Sequence, residues 1–341
     1  MISYHIIKTS KKSIFLLLSF VLCINFSGCS KQENPISKSN FQLNTIVTIT
    51  LYDSTDETII DDCFELIDSY EQLFSRTIPS SEIYKINHST DTVTDLSKET
   101  MELINIGLYY SNLSQGAFDI TLEPITSLWN FGSDEQRLPS QEELTNALKG
   151  VGYQNLLVKE ATVTLLKENM GLDLGAIAKG YIADKVKEYL LSRDVKSAII
   201  NLGGNVLCVG KKPDGSDFKI GIQKPFEDRS DTVAIMDLSD VSVVSSGIYE
   251  RYFKEGDVLY HHILNPFTGY PYANELTSVT IISDTSVDGD SLSTSCFALG
   301  LEKGLELINS LENTYACFIT QDGQLHYSKG FLENITVTET E

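Results

Sequence analysis

The run Leu172-Asp173-Leu174-Gly175-Ala176-Ile177-Ala178-Lys179-Gly180 constrains the fold of this chain more than any other segment. It passes from a buried strand end, through small residues, into a helix with Ile182, Val186, Tyr189 and Leu190 on one apolar face. One carboxylate, several small residues and one lysine fall within about two turns of backbone. Small residues let a ligand approach the main chain closely. A helix N-terminus beside a lysine favours a phosphate-bearing ligand.

The N-terminus reads as an address. Lys8, Lys11 and Lys12 precede an almost continuously apolar stretch from Ser13 to Phe26, which is the length of a signal-peptide core and short for a membrane span. Phe26-Ser27-Gly28-Cys29 resembles a lipobox, which makes Cys29 the expected lipid anchor of an extracytoplasmic protein held at the cell membrane. An uncleaved anchor helix is the alternative. The expected organisation is a signal peptide over 1–28, a lipid-anchored polar tether over 29–40 and a domain over 41–335, followed by a tail over 336–341. A domain of that length holds one large core or two intimate subdomains. The net charge of −21, with three lysines and no acid in the first 28 residues, makes the exported part a poor partner for nucleic acid. Cys63, Cys208, Cys296 and Cys317 show no CxxC spacing and sit in apolar segments, as small core residues do.

Periodicity predicts strands at Thr45–Tyr52, Thr162–Leu166 and Ser197–Asn201, and helices at Thr58–Phe74, Ser97–Asn112 and Gln141–Leu148. Val206–Val209 and Phe218–Gln223 read as a hairpin across the turn-rich Lys212-Pro213-Asp214-Gly215-Ser216. Further strands are expected at Val233–Val244, Val258–Leu264, Leu276–Ile282 and Tyr315–Ile319, and helices at Asp290–Leu299 and Leu301–Leu311. Strict βα alternation fails, so the class is α+β, with mixed or antiparallel sheets and packed helices.

Three more segments carry chemistry. In Asp290-Ser291-Leu292-Ser293-Thr294, a carboxylate and a hydroxyl four apart share one helix face. They offer hard oxygen ligands suited to Mg²⁺, or else a helix cap and a back-bonded threonine. In Tyr260-His261-His262-Ile263-Leu264-Asn265-Pro266-Phe267-Thr268-Gly269, the adjacent histidines point to opposite strand faces, and either a general base or a structural histidine fits. Gly116-Ala117-Phe118-Asp119 leads towards Trp129 and Phe131 and forms either a ligand wall or core. Asn201-Leu202-Gly203-Gly204-Asn205 is a glycine turn without the GxGxxG pattern, and GxxxxGK[ST], HExxH and GxSxG are absent.

In order along the chain, Asp173–Tyr181, Asn201–Gly204, Ser246–Phe253, His262–Gly269 and Asp290–Thr294 resemble the motifs of the ApbE family, the FAD:protein FMN transferases. The resemblance implies an ApbE-like, T-fold-related architecture and transfer of FMN from FAD to a threonine or serine hydroxyl of a partner protein. It implies release of AMP and a requirement for Mg²⁺. By matched positions, Ala176, Asp290 and Thr294 would hold the metal. Leu43, Thr77, Ala117, Phe118, Asp119, Asp173, Lys179 and Leu264 would contact FAD. His262 is the expected general base, and the acceptor is expected to be a membrane-associated or extracytoplasmic redox protein. The family's Met-Gly-Thr is Leu43-Asn44-Thr45 here, and Thr77 replaces a common aromatic. An FAD pyrophosphatase giving FMN and AMP, and a non-catalytic FAD-binding lipoprotein, are the alternatives.

Overall fold

The β-branched runs of this chain assemble around one central sheet. The computed structural model describes residues 34–340, so the signal segment and Cys29 lie outside the described residues. The strands are β1 (Ile36–Gln42), β2 (Thr45–Leu51), β3 (Leu156–Lys159), β4 (Thr162–Leu165), β5 (Ser197–Leu202), β6 (Asn205–Gly210), β7 (Phe218–Gln223) and β8 (Thr232–Leu238). They continue as β9 (Ser242–Gly247), β10 (Tyr252–Glu255), β11 (Val258–His261), β12 (Leu276–Ser283), β13 (Tyr315–Thr320), β14 (Leu325–Tyr327) and β15 (Thr336–Glu339). The helices are α1 (Glu57–Phe74), α2 (Glu82–Asn87), α3 (Lys98–Leu113), α4 (Glu123–Trp129), α5 (Gln141–Ala147), α6 (Ala178–Ser192), α7 (Ser286–Leu299), α8 (Leu301–Asn309) and α9 (Phe331–Asn334).

Eight strands pair in the order β1-β2-β5-β6-β9-β12-β13-β14, each neighbour antiparallel. A second sheet runs β15-β8-β7, and β3-β4 and β10-β11 are separate pairs. The α+β class with antiparallel sheets is therefore present.

Strand alternation decides what covers each face of the large sheet. Leu207, Val209, Ala316 and Phe318 join Ile60, Ile67, Ile182, Val186 and Leu292 in a core beneath α1, α6 and α7. Their alternates, Cys208, Cys317 and Ile319, pack against Phe218, Ile220, Ala234 and Met236 of the second sheet. The four described cysteines are buried and free, divided between these two cores. A third cluster joins Ile125, Trp129, Leu144 and Leu264, and the Trp129 indole N–H donates to the Gly269 carbonyl at 2.7 Å. The Trp129–Phe131 segment is thus core rather than a ligand wall.

Several expectations change. Residues 36–40, expected in the tether, form most of β1, and residues 336–339, expected in the tail, form β15 on the edge of β8. β1 has no apolar pattern because its pairing is polar: Ser37 and Ser39 meet Thr50 and Thr48 at 2.8 Å, and Lys38 reaches Asp61. β6 and β7 do not form a hairpin. β7 leaves the large sheet and buries Phe218, Ile220 and Ile222 against its outer face. Alternation shows that a strand has an apolar face but not which edge it pairs with. The Val233–Val244 run breaks at Asp240, with φ +53°, into β8 and β9 of different sheets.

Helix α7 begins at Ser286, four residues before the expected start. Its first turn contains Asp288-Gly289 and reads as a loop. The missing cap comes from α6: the Asp184 carboxylate accepts the amides of Ser286 (2.7 Å) and Val287 (2.9 Å). It supplies to a neighbouring helix what an N-cap side chain supplies to its own. Burial pushes the Asp184 carboxyl up to about 6. The helices touch where Gly180 faces Ser286; a Cβ there would lie 2.3 Å from the Ser286 carbonyl oxygen. We predict that Asp184→Ala lowers stability by about 2 kcal/mol, read as a lower urea midpoint. Asp184→Asn, which keeps one acceptor, should lose less.

Candidate functional site

The α6–α7 contact places Asp290 at the start of α6. Asp290 lies in the second turn of α7 and is 3 % exposed. One carboxylate oxygen accepts the Gly180 amide at 2.9 Å, and the other lies 3.6 Å from the Lys179 ammonium. Gly180 is the third residue of α6 behind its N-cap Ile177, so its N–H is one of the first-turn donors with no acceptor inside the helix. Asp290 satisfies that donor from α7, and among the described residues the Ala176 carbonyl, which precedes the N-cap, has no hydrogen-bond partner. The Asp290 carboxylate and the unpartnered Ala176 carbonyl thus both belong to the start of α6.

One helical turn beyond Asp290, the Thr294 hydroxyl lies 3.3 Å from the hydroxyl of Ser246 on β9, which also meets Ser293 at 2.8 Å. Burial raises the Asp290 carboxyl, while Lys179 and the Gly180 N–H pull it back down. A buried carboxylate, an unpartnered carbonyl and a hydroxyl form an all-oxygen donor set. That set fits a hard divalent cation retaining several waters. Asp290 is not the helix cap, since α7 starts at Ser286 behind Thr285.

The second half of the site is assembled around Asp173. Its amide donates to the Ile120 carbonyl at 2.8 Å, and Leu122 bridges to Gly171, which sets the Ala117–Asp119 turn alongside. The Asn87 side chain clamps Leu172 with bonds of 2.7 and 2.9 Å. One Asp173 oxygen accepts the Gly175 amide, and the other lies 3.4 Å from the Arg76 guanidinium. Arg76 also donates to Ser127 at 2.9 Å and stands 4.0 Å from Glu123. No local pattern marks Arg76, because its partners lie about fifty and a hundred residues away in the chain. The adjacent Thr77 is exposed, and its amide donates to Ser75.

Some expected ligand contacts are reduced to main chain. The Phe118 side chain is in the core, and Leu264 is packed with Trp129. Asp119 spends both oxygens inside the fold: one accepts the amide and hydroxyl of Thr121, the other the amide of Tyr153 at 2.9 Å. Leu43 sits in the β1–β2 turn at φ +53°, its amide 3.3 Å from Glu71, and has no polar link to Asp290 or Asp173 among the described residues.

The two histidines separate as strand geometry requires. His261 donates through Nε2 to the Tyr272 carbonyl at 3.0 Å and accepts the Ile263 amide on Nδ1. His262, half-buried, uses Nδ1 on the Arg251 carbonyl at 3.3 Å, so the proton sits on Nδ1 and Nε2 is left as an acceptor. Burial, aided by the charges of Arg251, His261 and Lys179, pushes His262 down to about 3.

A lysine and a buried carboxylate meet at the N-terminus of α6, a chemistry that suits a phosphate-bearing ligand. The chain belongs to the ApbE family, which matches residues 43–319. It is 37 % identical over 289 residues to a protein of Klebsiella pneumoniae named FAD:protein FMN transferase, covering 84 % of this chain and 89 % of that one. A Treponema pallidum protein of the same name is 30 % identical, with 95 % of each chain covered. The crystal structure of the ApbE protein of Thermotoga maritima superposes with a TM-score of 0.81 at 33 % identity, covering 90 % of this chain and 100 % of that one.

If the oxygen set binds a divalent ion, millimolar Mg²⁺ raises the melting temperature of the wild-type protein, because a ligand of the folded state stabilises it. We predict that Asp290→Ala abolishes that shift in a thermal melt followed by circular dichroism.

Proposed function

We propose that this chain is a flavin transferase that moves the FMN half of FAD onto a serine or threonine hydroxyl of an acceptor protein and releases AMP. The observation that carries this reading is the bond from the Gly180 amide to Asp290, which holds a buried carboxylate at the start of α6 beside Lys179 and the unpartnered Ala176 carbonyl. Ala176, Asp290 and Thr294 would hold Mg²⁺. Bound there, Mg²⁺ would neutralise charge on the pyrophosphate and on the departing phosphate.

The remaining work falls to this chain's own groups. Lys179, at the start of α6, adds a positive point charge beside the phosphates, where the helix N-terminus also attracts them. Asp173 and Arg76 brace the turn that leads into α6. The acceptor oxygen bonds to the FMN phosphorus as the bond from that phosphorus to the bridging oxygen breaks, and the bridging oxygen leaves with AMP. His262 Nε2 takes the hydroxyl proton, while Nδ1–H on the Arg251 carbonyl keeps the ring oriented. With Cys29 as a lipid anchor, the domain would act outside the cytoplasm on an acceptor at the same membrane.

The decisive measurement is mass spectrometry of an acceptor incubated with protein, FAD and Mg²⁺. The expected gain is one FMN joined through phosphate, with AMP released. Asp290→Ala should cut turnover by about 10²-fold or more, and near-normal turnover would remove the metal assignment. His262 gives a pH test. A base at about 3 is already unprotonated at neutral pH, so the rate should hold as pH falls through 6.5 and drop only below about 5. An acid limb centred near 6.5 would assign the base elsewhere.

A further inference from the structure

A cleft of about 520 Å³ lies on the far side of the His261–His262 step. Leu259, Tyr260 and His261 form one wall, Pro271 to Asn274 with Leu276 and Thr277 another, and Phe226 the rim. None of Asp173, Ala176, Lys179, His262, Asp290 or Thr294 lines it, but His261, the chain neighbour of His262, does. It contains no aspartate, glutamate, lysine or arginine, although the chain carries a net charge of −21. Burial pushes His261 down to about 4, so that wall is neutral as well. Phe226 and Val258 are 50 % and 52 % exposed at the opening, and Tyr252, which packs on Phe226, is 40 % exposed.

The cleft also has an open strand edge. In the β10–β11 pair, Tyr252 faces His261 and Lys254 faces Leu259. The His262 amide donates to the Arg251 carbonyl at 3.1 Å, which makes that opposed pair a hydrogen-bonded one. Hydrogen-bonded and non-bonded pairs alternate in an antiparallel ladder. Leu259 and His261 therefore direct their N–H and C=O groups away from β10, and no main-chain bond from outside the pair reaches them among the described residues. On that side the next residues are covered: the Tyr272 amide donates to Ile263 at 2.9 Å, and Leu264 bridges to Pro271. The covering strand stops there because the His261 ring, rather than its backbone, takes the Tyr272 carbonyl.

We propose that the outer edge of β11 binds the acceptor protein as an added strand, through an extended, uncharged segment that carries the hydroxyl to be modified. The proposal rests on the transferase reading and names how its second substrate is recognised. Main-chain bonds to Leu259 and His261 supply affinity, and the uncharged apolar cleft selects against charged side chains. The edge ends one residue from His262, so a segment paired along it delivers its hydroxyl towards the proposed base. The open edge of an otherwise covered strand then has a function, where unprotected edges are usually a liability.

The test uses the full-length protein in detergent and the capped peptide acetyl-Val-Ala-Thr-Val-Ala-amide. Its partners are the same peptide N-methylated at alternate residues and a version with glutamate in place of both valines. The uncharged peptide should slow amide hydrogen exchange at Leu259 and His261 by about tenfold, with or without FAD, and the other two peptides should not. Leu259→Pro removes one outward N–H without touching the β10 bonds and should raise the peptide KM for FMN transfer by about tenfold. Exposed Ala273→Trp fills the cleft mouth and should raise the peptide KM similarly, which covers the case that Leu259→Pro misfolds. Absent protection, an unchanged KM in the folded variants, or protection of the same two amides by FAD alone would overturn the docking proposal. Protection by the peptide with neither FMN transfer nor FAD cleavage would leave the docking surface standing and overturn the transferase reading instead.

Discussion

One hydrogen bond organises the site: the Gly180 amide donates to Asp290, 110 residues away. It satisfies an N–H of the first turn of α6 that has no acceptor within that helix. It anchors a buried carboxylate that would be costly to ionise without partners. It also holds Lys179 within ion-pair distance of that carboxylate. A buried carboxylate, a lysine charge and a helix N-terminus converge because α6 and α7 meet at this point.

That meeting has its own requirements. Glycine at 180 lets the Ser286 carbonyl approach the α6 backbone, where any Cβ would collide. Asp184, one turn along α6, satisfies the first amides of α7. Both helices lie on the large sheet through Ile182, Val186, Leu292 and Cys296. A rigid sheet below and a cross-helix cap above keep the site within the tolerance that phosphoryl chemistry demands.

The histidine pair shows how one strand serves two environments. His261 ends β11 and lines the uncharged cleft, while His262, in the bend that follows, does not line it and feels the charge of Lys179. Each imidazole is kept neutral by burial and oriented by a backbone carbonyl, Arg251 for one and Tyr272 for the other.

Much was legible locally. The helices α1, α3 and α6, the central strands and the buried cysteines follow from periodicity, which records burial wherever one face is apolar. The pairing of Asp290 with Thr294 follows from helical spacing, and the opposed histidines from strand alternation. Tertiary structure alone decided the rest, because the deciding partners are remote in sequence. Asp184 starts α7, and Arg76 finds Asp173. β7 leaves the large sheet to cover its outer face, and the polar β1 is a strand only because β2 offers matching hydroxyls. The amino-acid order specifies which groups exist and which face they take; only packing determines which amide a carboxylate claims, and here that choice sets Asp290 on the Gly180 amide at the start of α6.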